Sequence, residues 1–155
     1  MKPYKKILVP TDFSVHADEA LDTAIDLAAR YGASITLVHA FEPVIYAFPE
    51  SSGIYQSLQL ADAIDDIDKE LEKKKQSAIS RGAKDVQVAQ LRGFPPAEIA
   101  EYAKANGCDL IVMGTHGRRG FSHLLMGSVA ERVVRIAQCP VLTTRHAEEQ
   151  AKTPS

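Results

Sequence analysis

The chain predicts a Rossmann-like α/β fold: a doubly wound, five-stranded parallel sheet in the order 3-2-1-4-5, with helices on both faces. Three observations carry this. Short runs rich in Val, Ile, Leu and Thr alternate with stretches whose apolar residues recur every three or four positions. The alternation gives five strands to four helices, and parallel neighbours need crossovers of helical length. Gly32, Gly82 and Gly107 each fall just past a helical stretch, where a left-handed cap residue is wanted.

The elements follow in order. KKILVP (5–10) is strand 1, closed by Pro10. Ala17, Ala20, Leu21, Ala24, Ile25 and Ala28 mark one face of helix 1, with Ser14 as its candidate cap. ASITLVHAF (33–41) is strand 2. Leu60, Ile64, Ile67 and Leu71 carry helix 2. The connection between them, EPVIYAFPESSGIYQS (42–57), is longer than most in such folds. Its Tyr46, Phe48 and Tyr55 suit either a lid or partner-contact loop or a loosely packed surface segment. KDVQVAQLR (84–92) alternates as strand 3, and Ile99 and Tyr102 mark a shorter helix. CDLIVMG (108–114) is a continuous strand 4; Val129, Val133 and Ile136 mark helix 4; CPVLTTR (139–145) closes the sheet. Residues 1–146 form a single domain, and 147–155 a polar, frayed tail.

Composition narrows the class. With 155 residues the chain can bury one sizeable core. A hydrophobic fraction of 45%, 25% charged residues and a net charge of −2 argue against disorder and against an electrostatic grip on nucleic acid. The apolar run after the basic start stops at Pro10, too short for a signal-peptide core, and no apolar stretch approaches a membrane span. A cytoplasmic setting is expected, without membrane insertion. Cys108 and Cys139 each sit at the lip of an apolar run without metal-type spacing, and read as reduced, mostly buried thiols.

In an open α/β sheet, ligands sit outside the carboxyl ends of the strands, where strand order reverses. Here the reversal falls between strands 1 and 4, which end in VPTDFS and GTHGRRG. Asp12 is therefore expected opposite the Gly114 loop. Gly114 is expected to turn the chain sharply where a Cβ would clash, and Gly117 to let backbone amides line an anion-binding hollow. Gly127 and Ser128 open helix 4, whose free amides and positive dipole end favour a phosphate. The Ser128 hydroxyl and Arg118 or Arg119 can add contacts. The same residues also admit plainer roles: Ser128 as a helix cap, Gly114 as a turn, Asp12 as an Asx-turn. His39 reads as a satisfied, partly buried histidine. His116 and His123 can touch a phosphate or a metal, but no paired carboxylate at ligand spacing argues for a metal site. DAIDDIDKELEKKK lacks the glycine of a calcium loop and reads as a solvated helix face.

Gly114-x-x-Gly117, nine residues, then Gly127-Ser128 resembles the G-x2-G-x9-G-(S/T) pattern of the universal stress protein family, in its ATP-binding branch. The resemblance runs from ILVPTDFS to CPVLTTR, and LIVMGTHGRRG and LLMGSVAERV are similar to the family's signature segments. It implies an α/β nucleotide binder, commonly a homodimer, tied to stress tolerance and regulation. Carried over by residue, it implies Asp12 near the ribose, with Pro10, Thr11 and the main chain from Val38 to Ala40 at the adenine. Gly114, Gly117, Arg118, Gly127, Ser128 and Val129 would hold the phosphates, with Met113 and His116 as further nucleotide contacts. The ligand implied is ATP, with Mg²⁺ or Mn²⁺ as an open choice of companion.

Machinery for fast hydrolysis is missing. There is no G-x-x-x-x-G-K-(S/T) loop and no evident base to position an attacking water. Strand 1 runs into PTDFS, not the S-G-G-x-D-S loop of ATP pyrophosphatases. No catalytic residue is assigned, and binding without efficient turnover is expected. Two functional readings stand. One is an ATP-binding regulatory protein whose nucleotide fixes the 115–126 loop and alters contacts with a protein partner. The other is a dimeric interaction protein with a vestigial pocket, pairing through edge strand 141–145.

Overall fold

A computed structural model describes residues 2–43, 53–116 and 126–146. Its elements are β1 (Lys6–Pro10), α1 (Val15–Tyr31), β2 (Ser34–Phe41), α2 (Gly53–Ser80), β3 (Val86–Arg92), α3 (Pro95–Ala105), β4 (Leu110–Gly114), α4 (Ser128–Ile136) and β5 (Val141–Thr144). The strands form one sheet in the order β3-β2-β1-β4-β5, with every neighbouring pair parallel. This is the predicted order.

Both faces of the sheet are covered, which explains the continuous apolar runs of the central strands. Ile7, Val9, Ile35, Leu37, Leu110 and Val112 pack against α1 and against Leu71 and Ala78 of α2. On the opposite face Leu8, Val38, Ile111 and Met113 pack against Ile99 and Ala103 of α3 and Ala130 and Val133 of α4. The buried side of α1 is largely alanine, at 17, 20, 24 and 28, so its backbone can lie close to the strands.

Three helices end alike. Gly32, Gly82 and Gly107 take φ of 69°, 105° and 65°. The next residue then donates its N–H five residues back: Ala33 to Ala28, Ala83 to Ala78, Cys108 to Ala103. This is the closure in which a left-handed residue satisfies the last helical carbonyls. Ala33, Ala83 and Cys108 are all buried by it. It accounts for Cys108 at the lip of β4 and for strands starting later than their apolar runs. Both thiols are free, Cys108 buried and Cys139 partly exposed. Burial pushes each thiol pKa up, so both resist forming thiolate.

The 42–57 connection differs from expectation. Helix α2 starts at Gly53, taking in the last five residues of that segment. Nothing between Ile54 and Ser80 is proline or glycine, so the helical phase runs back uninterrupted. The expected apolar stripe is buried only toward the helix end: Leu71 is fully buried, Ile64 and Ile67 are half-buried, and Leu60 is exposed. The acidic stretch is a solvated face, with Lys69 reaching Asp65 and Asp66 one turn away. Tyr46, Phe48, the Tyr55 side chain and the 147–155 tail lie outside the described residues. Among the described residues, no helix is long and apolar enough to cross a membrane.

Candidate functional site

Strands β1 and β4 are neighbours at the reversal, with Ile7 level with Leu110 and Leu8 with Ile111. The same register carried forward sets Thr11 level with Gly114. The turn leaving β1 is built from two nested side-chain bonds. Phe13 N–H donates to Thr11 Oγ1 at 3.0 Å, and Ser14 N–H donates to Asp12 Oδ1 at 3.0 Å. Ser14 then caps α1 by accepting from Ala17 N–H. Asp12 does form the Asx-turn its sequence allows. That turn engages Oδ1, and a carboxylate can accept at both oxygens. Phe13 sits at φ 64°, an unusual backbone for a bulky residue and the kind of local strain that gathers at functional sites.

The end of β2 holds this turn from the side. Thr11 N–H donates to the Val38 carbonyl at 2.8 Å, and His39 Nδ1 lies 2.8 Å from the Thr11 carbonyl. Pro10, Thr11 and Val38 are buried, with Val38 at 0% exposure; Ala40 is half-buried at the rim. His39 is thus the satisfied, partly buried histidine expected of it.

A Cβ at Gly114 would clash, as expected, but the residue stays in the strand and makes no sharp left-handed turn. It closes β4 in ladder with Thr144 and has no left-handed backbone. A Cβ there would stand 2.9 Å from the His16 carbonyl oxygen and 3.1 Å from the His16 Cβ. The missing side chain lets the first turn of α1 rest directly on the end of β4. Met113, just before it, is buried against the α3–α4 side.

Beyond Gly114 the chain is pinned again. Thr115 donates both its N–H and its hydroxyl to the Thr144 carbonyl. With the hydroxyl proton so used, His116 Nδ1 is the donor in its 3.1 Å contact with Thr115 Oγ1. Gly127 N–H donates to the Thr115 carbonyl at 2.5 Å. A Cβ on Gly127 would lie 2.9 Å from that oxygen. Thr115 and Gly127 therefore meet at one narrow neck. Gly117 and Arg118, with Arg119 and His123, lie outside the described residues.

At that neck α4 begins. Its N-cap is Gly127, not Ser128, so no N-cap side chain fills the first-turn amides. Ser128 and Val129 are the first two helical residues and both are exposed. Glu131, the acid of the first turn, is paired with Arg135 at 2.8 Å. The carboxyl ends of β1 and β4 thus carry an accepting carboxylate in the Asp12 turn and, tied to Thr115, a helix start with no side-chain cap; the first suits hydroxyl groups and the second an anion.

Two residues were not anticipated. The rings of His16 and His146 flank one another at 5.7 Å, and His16 lies 5.9 Å from His116. His146 Nε2 is also 3.9 Å from Glu19 Oε1. Only the packing of α1 over the ends of β4 and β5 gathers these histidines. Among the described residues, no group of three His, Cys, Asp or Glu is arranged to hold a metal ion.

Comparison with known proteins agrees with this architecture. The sequence model of the universal stress protein family matches residues 3–145. This chain belongs to the universal stress protein family. A universal stress protein of Methanocaldococcus jannaschii is 34% identical over 148 residues, covering 95% of this chain and 85% of that protein. Among solved structures, the universal stress protein UspA of Lactobacillus plantarum is similar with a TM-score of 0.83 at 27% identity, over 94% of this chain and 100% of that one. A universal stress protein solved in complex with cAMP is similar with a TM-score of 0.66 at 25% identity, over 93% and 98%. The universal stress protein fold thus spans nearly the whole chain, and the family expected from the Gly114–Ser128 spacing is the one found.

Proposed function

We propose that this protein binds an adenine nucleotide, ATP above all, in the crevice between the Thr11–Ser14 turn and the Thr115–Gly127 neck. The observation that carries the reading is the start of α4: a helix N-terminus capped by glycine and tied to the end of β4. First-turn amides and the helix dipole favour a phosphate there. The cAMP complex of a relative supports an adenine nucleotide as the ligand class. Asp12 takes the ribose hydroxyls. Pro10, Thr11 and Ala40 border the base, and Val38 supports them from within the sheet. Gly127, Ser128 and Val129 offer main-chain amides to the phosphates; the family resemblance adds Gly114, Gly117 and Arg118 to the phosphate contacts and Met113 and His116 as further nucleotide contacts. Mg²⁺ or Mn²⁺ can accompany the triphosphate.

The protein then acts as a nucleotide-dependent regulator in a cytoplasmic stress response, not as an efficient ATPase. The chain has no Walker lysine between the phosphates and no base set to orient a water. Titration with ATP and with GTP, each with and without Mg²⁺, tests this. Saturable ATP binding below millimolar concentration, with slow or no phosphate release, is expected. Absence of such binding overturns the proposal and leaves the vestigial-pocket reading.

A homodimer through β5 is compatible with either. Among the described residues, strand β5 pairs with β4 alone and is an edge, the usual site of strand-to-strand association. Val141 and Leu142 are only half-buried. The Pro140 and Thr144 carbonyls accept from Ile111 and Thr115 of the β4 segment. Strand alternation therefore turns the Thr143 N–H outward. Thr143→Pro removes that outward donor while sparing the β4 ladder. Light scattering is expected to show a dimer in the wild type and a monomer in the variant; an unchanged dimer mass in the variant contradicts this interface.

A further inference from the structure

We propose that His39 is a positioning residue for the nucleoside end of this site, acting through its Nδ1–H on the Thr11 carbonyl; the proposal rests on the nucleotide-binding reading above. The Thr11 oxygen is a backbone carbonyl and can only accept, so the 2.8 Å contact requires the proton on Nδ1. The imidazole also packs against two aromatic rings. Phe13 lies 4.9 Å away at 34°, and Phe41, two residues on along the same face of β2, lies 5.8 Å away at 17°. Phe13 is also the residue held at φ 64°.

These contacts close a circuit around Asp12. Thr11 is gripped at both backbone ends, its N–H on Val38 and its carbonyl on His39. Phe13 is gripped at its N–H by Thr11 Oγ1 and at its ring by His39. Asp12 stands between the two gripped residues. A left-handed aromatic residue persists only where its surroundings over-determine it, and His39 touches the residues on both sides of Asp12. Removing the Nδ1 donor releases the Thr11 carbonyl and lets the turn relax. Ligand must then order the turn as it binds, which costs affinity.

The test uses the full-length protein, with ATP and AMP titrated against wild type, His39→Leu and His39→Asn. Leucine removes the donor and keeps apolar bulk; the asparagine amide places an N–H near the Nδ1 position. His39→Leu is expected to weaken ATP and AMP by the same factor, roughly 10-fold, the scale of one hydrogen bond. His39→Asn is expected to recover most of that loss. In the wild type, long-range ¹H–¹⁵N spectra of the imidazole are expected to show an Nδ1-protonated ring. If wild type binds and His39→Leu binds equally well, the inference is overturned and the nucleotide reading stands. Equal losses in the leucine and asparagine variants, or an Nε2-protonated neutral ring, also overturn it. A wild type that binds neither nucleotide removes the function proposal and this inference together.

Discussion

Replacing Gly127 with Asp is expected to weaken ATP binding by at least ~100-fold, a loss of about 2.7 kcal/mol. Two effects add. Any Cβ at this position meets the Thr115 carbonyl oxygen at 2.9 Å, a backbone atom that cannot swing aside. The neck must widen, and the Gly127 N–H bond to the same oxygen is stretched with it. The new carboxylate then sits at the N-cap of α4, where it can satisfy the first-turn amides in place of a phosphate and repel the triphosphate. The close approach to Thr115 thus adds a local steric cost to the electrostatic one. Gly127→Ala separates the terms, because it carries the steric part alone, and a weaker loss of roughly 10-fold is expected on the scale of a modest rearrangement. Calorimetric titration of both variants, beside thermal melts, reads the difference. Undiminished affinity in Gly127→Asp would place the ligand elsewhere.

Gly114→Ala has the second large effect, and it strikes stability first. The added methyl would stand 2.9 Å from the His16 carbonyl oxygen and 3.1 Å from its carbonyl carbon. Neither atom belongs to a flexible side-chain end, so α1 must move off the sheet. Overpacking of this kind costs about 1–3 kcal/mol. For a domain of this length that lowers Tm by roughly 2–4 °C per kcal/mol, hence about 6 °C in the middle of the range. The start of α1 follows directly from the Asp12 turn through the Ser14 cap. Displacing the helix therefore moves Asp12, and ATP affinity is expected to fall with Tm. A melting temperature equal to wild type would mean that α1 backs away without cost, and that Gly114 is there for another reason.

Gly114 also marks the limit of what the chain discloses. Its glycine is visible in sequence, but the reason for it lies in His16, a contact that exists only once α1 folds back across β4. The strands were legible because a sheet buried on both faces needs uninterrupted apolar runs, as in LIVMG. The helix ends were legible because Gly32, Gly82 and Gly107 take backbone angles that suit glycine best. Each of these signals is local. Helix α2 was underestimated because Leu58 and Leu60 stay exposed, so apolar periodicity there says nothing about where the helix starts. The Asp12 turn could be guessed from T-D-F-S, whereas its bracing by His39 depends on register between β1 and β2. His16 and His146 carried no signal at all, since neither stands in a motif and only tertiary packing makes them neighbours.

The three matching helix closures have a wider consequence. All lie where chains re-enter the sheet, at the amino ends of β2, β3 and β4, while the Asp12 turn and the α4 start lie at the carboxyl ends. Changes at the three closures are therefore expected to touch stability alone, whereas on the opposite rim the Gly114 packing and the Ser14 cap join the stability of α1 to the shape of the Asp12 turn.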